Sequence, residues 1–298
     1  MPTQRGIGSG LALTRAGDPS VSRRNSWIVG LGARVLAPFR VLVAQRQAIH
    51  IFVNRDIRGR YLNSALGLWW AVIQPLALLA LYTFVFSSVM RIRLNDSAST
   101  SEFALYAFCG LLPWIALADA LTRSSSVLLE QTPLIKKVVF PSEILPVHLV
   151  LSALVVELVG LAVFLAVVMI GGRLPGWSLL ALPVVLALQF FFMTGLAWLL
   201  STMAVYLRDV RQVVGLVLTL WMFLTPIVYP ASLVPARFRW ALDVNPMTAI
   251  VDAYRAALLD DRLPAVIPLA IFAAITFVVF VSGYWVFARS KPSFADLL

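Results

Sequence analysis

Residues 144–170 read ILPVHLVLSALVVELVGLAVFLAVVMI, an apolar run that contains one carboxylate and no Lys or Arg. A helix needs about 20 apolar residues to cross the hydrocarbon core of a bilayer, and runs of comparable length recur along the chain with short polar breaks. Of the 298 residues, 60% are apolar and 13% are charged, whereas soluble domains have roughly 45–50% and about 25%. The composition therefore argues against a water-soluble protein and favours one helical membrane domain.

Six segments reach the length of a spanning helix. Proline inside such a segment, as at Pro75, Pro113 and Pro183, can kink the helix without ending it. The expected fold is an all-α polytopic membrane protein with a single transmembrane domain at 35–298, after a poorly ordered cytoplasmic tail at 1–34. The predicted spans lie at about 65–90, 103–123, 144–170, 177–206, 212–230 and 264–288.

The distribution of basic residues predicts the orientation, because Lys and Arg are retained on the cytoplasmic side. If both termini are inside, 17 of the 24 Lys and Arg residues fall in cytoplasmic segments and seven in external ones. An even number of spans with both termini in the cytoplasm fits this count. The net charge of +10 is then largely a result of topology and of attraction to anionic lipids, and we expect no nucleic-acid partner.

Residues 35–61 precede the first predicted span and interleave apolar residues with arginines. This pattern is typical of an amphipathic helix that lies in the membrane interface. An ordinary juxtamembrane anchor fits the same pattern equally well.

The external stretch at 230–263 is too long and too apolar for a simple loop, and Pro230, Pro235 and Pro246 divide it. We predict one or two short re-entrant helices here, which need protein or a water-filled cavity around their backbone. A stretch of this kind indicates a transport path. The residues assigned to it are Asn245, Pro246, Tyr254 and Arg255.

Catalytic and metal-binding patterns are absent from the sequence, which has no phosphate-binding glycine loop, zinc-ligand pair or serine elbow. The single cysteine, Cys109, excludes an intrachain disulfide, and the two histidines are far apart. We therefore expect no metal and no cofactor in this chain. If transport consumes ATP, another chain must bind the nucleotide, and this chain needs a docking surface for it.

Two carboxylates lie inside predicted spans, Asp119 and Glu157, and burial of such groups is costly enough to suggest a function. Asp119 is one helical turn from Arg123 and can pair with it. For Glu157 two interpretations stay open: a proton site that couples energy to transport, or hydrogen bonding that fixes helix packing or lines a polar cavity.

Aromatic side chains are candidates for a sugar path, because ring faces hold sugars without gripping one position. Many aromatic residues are also expected at the membrane interfaces for ordinary reasons. The residues assigned to the path are Trp69, Phe190, Trp198, Trp221, Phe223 and Tyr229.

Four strings, in this order, resemble the type-2 ABC exporter permeases that carry capsular polysaccharide, O-antigen or teichoic acid. The similarity spans about residues 50–296, and a long N-terminal tail and Glu157 depart from the family pattern. The strings are NRDIRGRYLNSALGLWWAVIQPLALLALYTFVF at 54–86, LIKKVVFPSEILP at 134–146, YLRDVR at 206–211 with TPIVYP at 225–230, and NPMTAIVDAYR at 245–255.

The resemblance implies a homodimer in the bacterial inner membrane, with two copies of a separate ATPase subunit that binds ATP and Mg. Periplasmic or outer-membrane export components are further candidate partners. A cytoplasmic helix between spans two and three would receive the stroke of the ATPase. The residues that match it are Leu134, Ile135, Lys136, Lys137, Val138, Phe140 and Pro141.

The resemblance also implies a substrate entrance, where a lipid-linked, phosphate-bearing end of the polymer is first bound. Arginine suits this task because its planar fork binds phosphate oxygens in pairs. Anchoring to lipid headgroups is the alternative role of these residues. They are Arg55, Asp56, Arg58, Arg60 and Tyr61.

Two other functions stay open at this point. A type-2 ABC exporter of drugs or lipids would share the fold and have a narrower path. An integral membrane enzyme acting on lipid-linked sugars would need a catalytic carboxylate or histidine, for which Asp119, Glu157 and His148 are the candidates. The sequence favours export of a lipid-linked polysaccharide.

Overall fold

The computed structural model of the protein describes residues 36–61, 66–89, 100–137 and 141–298. Within these ranges the chain is helical, with no strand. The tail predicted at 1–34 lies outside the described residues. The helices are α1 (36–44), α2 (Arg46–Tyr61), α3 (Trp70–Thr83), α4 (Thr100–Ser124), α5 (Val127–Glu130), α6 (Thr132–Lys137), α7 (Ile144–Ile170), α8 (Leu182–Tyr206), α9 (Val210–Leu224), α10 (Arg239–Val244), α11 (Pro246–Leu258), α12 (Val266–Ser290) and α13 (Phe294–Leu297).

Four helical segments are long and apolar enough to cross a membrane: Glu102–Ser124, Ile144–Ile170, Trp177–Tyr206 and Val266–Leu297. They coincide with predicted spans two, three, four and six. At the places of predicted spans one and five, α3 and α9 are shorter apolar helices. The structure therefore supports a multi-pass helical protein, and the count of six spans stays a prediction.

Helix α9 is shorter than the span predicted at 212–230, because it ends at Leu224. Thr225 has an extended backbone, with φ −100° and ψ 133°, and it precedes Pro226. The ring of a proline disfavours the helical conformation for the residue before it. By contrast, Pro75 and Pro113 lie inside α3 and α4 and do not end them.

The bundle is built around α4, which packs against α3, α7, α8 and α11. Its inward side chains, such as Phe108 and Leu117, are at most 1% exposed. Phe108 stacks on Phe164 of α7, with ring centroids 6.0 Å apart. Residues brought by α4 therefore lie at the centre of the molecule.

Helices α8 and α12 approach each other through two glycines, Gly195 and Gly283. A methyl group at Gly283 would overlap the Gly195 carbonyl oxygen, and one at Gly195 would lie 2.6 Å from the Val279 carbonyl oxygen. Small residues permit this backbone contact between helices in a membrane. Any larger residue at either position would force the helices apart.

Helices α1 and α2 occupy the segment predicted at 35–61 as an amphipathic helix of the membrane interface, and its place in the interface stays a prediction. Phe39 of α1 packs against Phe191 and Phe280, with ring centroids 5.5 and 5.0 Å away, and α2 lies along α7 with Ile49 buried. Arg58 on the other side of α2 is exposed. One face of this segment therefore belongs to the bundle, and its basic face is free.

Candidate functional site

Two arginines and two aspartates form an ion-pair network between α2 and α4. Asp56 accepts hydrogen bonds from Arg60 Nε at 3.3 Å and from Arg123 Nη1 at 3.1 Å, and its second oxygen accepts from Arg123 Nη2. Asp119 accepts from Arg60 Nη2 at 2.6 Å and lies 3.6 Å from Arg123 Nη1. The predicted pairing of Asp119 with Arg123 is confirmed, but its shorter contact is with Arg60.

This network pairs Arg60 and Arg123 with carboxylates. Two other arginines, Arg55 and Arg211, are not part of it. Arg55 lies over the ring of Phe52, 4.8 Å from its centroid. Neither Arg55 nor Arg211 forms an ion pair or a hydrogen bond with any residue that the structure describes. Both line one cavity of about 310 Å³, which we call the arginine cavity. Its other polar lining residues are Asp56, Thr122, Arg123, Ser126, Glu130, Gln131 and His148.

The five residues predicted to form the substrate entrance are not gathered in one place. Arg55 and Asp56 line the arginine cavity, Arg58 is exposed, and Arg60 and Tyr61 line a second cavity of about 310 Å³. Burial raises the pKa of the Tyr61 phenol above its ordinary value, so this group is a hydrogen-bond donor at neutral pH.

The second cavity lies among α2, α3, α4 and α7, and Arg60, Asp119 and Glu157 are among its polar lining residues. His148 lines the arginine cavity instead, where its Nδ1 lies 3.2 Å from the Ile144 carbonyl oxygen. The three candidates for an enzyme acting on lipid-linked sugars are thus divided between two cavities.

The segment predicted to receive an ATPase stroke contains α6, between α4 and α7. Leu134 and Ile135 are half-buried and Lys136 is exposed. Pro141 follows the helix and accepts a backbone hydrogen bond from Ile144 at 3.1 Å. Val138 and Phe140 lie outside the described residues, and the side chain of Lys137 is not described either.

The C-terminal segment packs next to α6 through α13. Phe294 is 1% exposed and contacts Phe287 at a centroid distance of 5.2 Å. Lys291 Nζ lies 2.8 Å from each carboxylate oxygen of Glu143, and Trp198 Nε1 donates to the Glu143 carbonyl oxygen at 3.0 Å. The start of α7 is thereby tied to the end of α12.

The aromatic residues predicted to line a sugar path have different environments. Trp69 and Phe223 are 70% and 60% exposed, whereas Trp198 is completely buried. Phe190 and Tyr229 are half-buried, and the Tyr229 hydroxyl donates to the Phe223 carbonyl oxygen at 2.8 Å. Within this chain, Trp198 is a packing residue with no free ring face.

Trp221 is also half-buried, and its indole is bound to Asn245 at 2.8 Å. Asn245 caps α11 by accepting from the Met247 backbone at 3.0 Å and donates to the Thr225 hydroxyl at 2.9 Å. Pro246 is the first residue of the helix. An N-cap asparagine followed by proline is a strong start signal for a helix. Asn245 therefore joins the end of α9 to the start of α11.

Arg255 holds the other end of this connection. It is 3% exposed, and its guanidinium lies 3.5 Å from the centroid of the Tyr106 ring. Its two terminal nitrogens donate to the carbonyl oxygens of Pro226 and Ile227 at 2.8 and 2.9 Å. Carbonyls left free where a helix is broken need such partners. Helices α10 and α11 lie in the stretch for which one or two short re-entrant helices are predicted, and their re-entrant placement in the membrane stays a prediction.

No role was assigned from the sequence to Gln189, Arg211, Glu143 or Lys291. Gln189 is the one amide in an apolar helix of 25 residues, and a polar residue in such a run is a signal that could have been used. Arg211 stood in a recognised string without an assigned role. The ion pair between Glu143 and Lys291 joins residues 148 positions apart, and no local pattern indicates it.

Comparison with known proteins places this geometry in a family. Residues 47–259 match the family described as ABC-2 type transporter, in its membrane domain. This range runs from α2 to just past the end of α11. It includes the ion-pair network, the arginine cavity and the Arg255 contacts.

Relatives that match this chain over most of their own length are also membrane transport proteins. The O-antigen export system permease protein RfbA of Myxococcus xanthus is 30% identical over 86% of this chain and 97% of its own length. A Klebsiella pneumoniae protein of the same name is 27% identical over 83% of this chain and 93% of its own. The polysialic acid transport protein KpsM of Escherichia coli is 22% identical over 80% and 92%. The chain belongs to the ABC-2 transporter family as a membrane permease.

Proposed function

We propose that this permease is the transmembrane subunit of an ATP-driven exporter of a lipid-linked polysaccharide, of the capsule or O-antigen type, in the bacterial inner membrane. The observation that carries the proposal is the nearly end-to-end similarity to permeases named for O-antigen export. A separate subunit binds ATP and Mg, because the sequence has no nucleotide-binding motif.

The permease crosses the membrane six times with both termini in the cytoplasm. Support for the first span comes from the turn Gly67–Trp69, α3 and the π-helical segment Phe84–Val89, which follow one another without a gap. Their 3, 14 and 6 residues make 23 in all, which reaches the length of about 20 residues that a bilayer requires. The fifth span is α9, completed by the short connection that Asn245 and Arg255 hold.

Two copies form the path. Helix α9 exposes apolar side chains that no other part of the described chain covers, among them Leu216, Leu220 and Phe223. Six spans enclose little volume for a polymer, so a second copy is needed to complete the wall. Phe223 and Trp69, the two most exposed of the assigned aromatic residues, are the best placed to contact a sliding sugar chain.

The entrance of the substrate is the arginine cavity. Arg55 and Arg211 have no carboxylate partner in it, so they are available to bind the phosphate of a lipid-linked sugar. Arg60 and Arg123 are already neutralised by Asp56 and Asp119 and shape the site.

The docking surface for two ATPase subunits is centred on α6. Its exposed Lys136 is available to the partner, while Leu134 and Ile135 pack towards the bundle. The contact of α6 with α13 provides a direct route from this surface to α12.

Reconstitution tests the function. Permease and cognate ATPase in proteoliposomes should transport polymer only with ATP, and deletion of the permease in the source bacterium should remove surface polysaccharide. Polymer-independent ATP hydrolysis together with unchanged surface polysaccharide would contradict the proposal. Export of a drug or lipid in the same assay would favour the narrower type of exporter.

Substitution tests the entrance. Arg55→Ala and Arg211→Ala should each lower export, and Arg55→Lys should restore only part of it, because lysine cannot bind phosphate as a planar fork. Arg58→Ala is the matched control, since Arg58 is an exposed arginine on the same helix that does not line the cavity. Equal loss in all three alanine variants would indicate general headgroup anchoring instead.

A further inference from the structure

Three polar side chains from three helices meet inside the bundle: Glu157 of α7, Gln189 of α8 and Tyr254 of α11. Each is at most 4% exposed. The Gln189 amide nitrogen is 2.8 Å from Glu157 Oε2, and the Tyr254 hydroxyl is 2.5 Å from Glu157 Oε1 and 2.8 Å from Gln189 Oε1. These contacts close a cycle that we call the polar ring.

A cycle of three hydrogen bonds needs three protons, one in each contact. The Gln189 amide directs one proton into the ring, and the Tyr254 hydroxyl supplies another. An ionised Glu157 can only accept, so one of the three contacts would then place two acceptor oxygens together. The third proton is present when Glu157 is a neutral carboxylic acid.

This count does not depend on how the Gln189 amide is oriented. As placed, the amide donates to Glu157, the acid donates to Tyr254, and the phenol donates to the Gln189 oxygen. With nitrogen and oxygen exchanged, the same three bonds run in the opposite direction, and the acid donates to Gln189. Both orientations need one proton from Glu157.

Among the residues that the structure describes, no cation pairs with Glu157 to hold it as a carboxylate. Arg60 and Asp119 line the same cavity, but Arg60 is bound to Asp119 and Asp56. A buried carboxylate without a paired cation is strongly disfavoured.

We propose that Glu157 is a permanently protonated positioning residue, whose carboxylic acid closes the polar ring and locks α11 onto α7 and α8. It does not carry protons during transport. The ring joins helices that are far apart in the chain, and Arg255, the next residue after Tyr254, holds the turn that follows α9. The ring therefore fixes the position of that turn as well.

Replacement of Glu157 by glutamine is the decisive variant. A glutamine side chain presents one donor and one acceptor, as the neutral acid does, so Glu157→Gln should close the ring again. Glu157→Leu and Tyr254→Phe should open it and lower the Tm of the purified full-length permease by several degrees. A Tm for Glu157→Gln as low as that of Glu157→Leu would overturn the proposal.

Infrared spectroscopy measures directly whether the Glu157 carboxyl group is protonated. At neutral pH the wild-type permease should show the carbonyl stretch of a protonated carboxylic acid, and Glu157→Gln should lose that band. Asp243→Asn, which replaces an exposed aspartate, is the matched control and should keep it. Absence of the band from the wild type would show an ionised Glu157 and end the proposal.

Export by the complex of permease and ATPase separates positioning from proton transfer. Glu157→Gln should retain wild-type export, because its side chain restores the ring; loss of export at an unchanged Tm would reveal a proton carrier. This readout rests on the proposed function, but the Tm and infrared measurements do not. They decide the proposal even if the wild type exports no polysaccharide.

Discussion

The ion-pair network and the polar ring solve the same problem, a carboxylate inside a helical membrane protein, in opposite ways. Asp56 and Asp119 are held as anions by Arg60 and Arg123, at 15% to 32% side-chain exposure. Glu157 has no cation and lies at 4% exposure among neutral partners. The difference teaches that partial exposure permits charge with a counter-ion, whereas full burial favours a neutral acid.

The largest effect is expected from Asp56→Asn. The asparagine leaves Arg60 and Arg123 with Asp119 as their one remaining counter-charge among the described residues, and the loss of one partner from this partly buried network should cost about 3 kcal/mol, the lower end of the range for buried ion pairs. Unfolding of the purified permease, followed by Tm or by denaturant, measures this loss. The double variant Asp56→Asn/Arg123→Gln should recover part of it, because the two residues interact directly; additive losses would contradict the network.

Tyr254→Phe should have the next largest effect on stability. It removes the hydroxyl that is hydrogen-bonded to Glu157 and Gln189. A buried polar group left without its hydrogen bond lowers the free energy of unfolding by about 1–3 kcal/mol. In the background of Glu157→Leu, where the ring is already open, the same substitution should cost clearly less. A double-mutant cycle on unfolding gives this coupling, and a value of zero would mean that the ring is not a unit.

Asp119→Asn should be milder than Asp56→Asn, at about 1 kcal/mol, because the Asp119 side chain is 32% exposed and solvent screens its ion pairs. Asp56 continues to neutralise both arginines in this variant. The same unfolding assay ranks the two substitutions. An equal loss for both would show that the network does not depend on exposure.

The smallest expected effect is a change in stability with salt concentration, and it should differ between the ion-pair network and the polar ring. Raising the ionic strength from about 0.1 M to about 1 M shortens the screening length from about 10 Å to about 3 Å. The effect of Asp56→Asn on stability should therefore shrink in high salt, because the two arginines, which then share Asp119 alone, repel each other less. The effect of Tyr254→Phe should stay constant, since the ring carries no charge. If the stability effects of Asp56→Asn and Tyr254→Phe depended equally on salt, the ion-pair network and the polar ring would not differ in charge as described.

The elements of this fold were largely predictable, because bilayer length and charge placement act within short windows of sequence. Helices α4, α7, α8 and α12 follow apolar runs, and the helix start at Asn245 follows from its own side chain and the proline after it. The fifth span was predicted to end at residue 230, whereas α9 ends at Leu224, just before Thr225 and Pro226. Here the apolar pattern continued beyond the point at which backbone geometry stops the helix.

The site was less predictable, because its contacts join distant parts of the chain. Asp119 was paired with Arg123 at helical spacing, but its closer partner Arg60 is 59 residues away. Glu157 was recognised as unusual, yet its environment depends on Gln189 and Tyr254, 32 and 97 residues away. Only the packed bundle decides whether such a carboxylate meets a cation or a neutral partner.

The glycine contact between α8 and α12 limits how this permease can move. With no side chain between Gly195 and Gly283, the backbones of the two helices are in direct contact, so a shift of one helix against the other must disturb this contact. Helix α8 ends in an extended residue, Leu207, with φ −131° and ψ 105°, and α9 begins three residues later. The extended backbone at Leu207 separates α9 from this pair of helices, so the direction of α9 is not set by the helical backbone of α8.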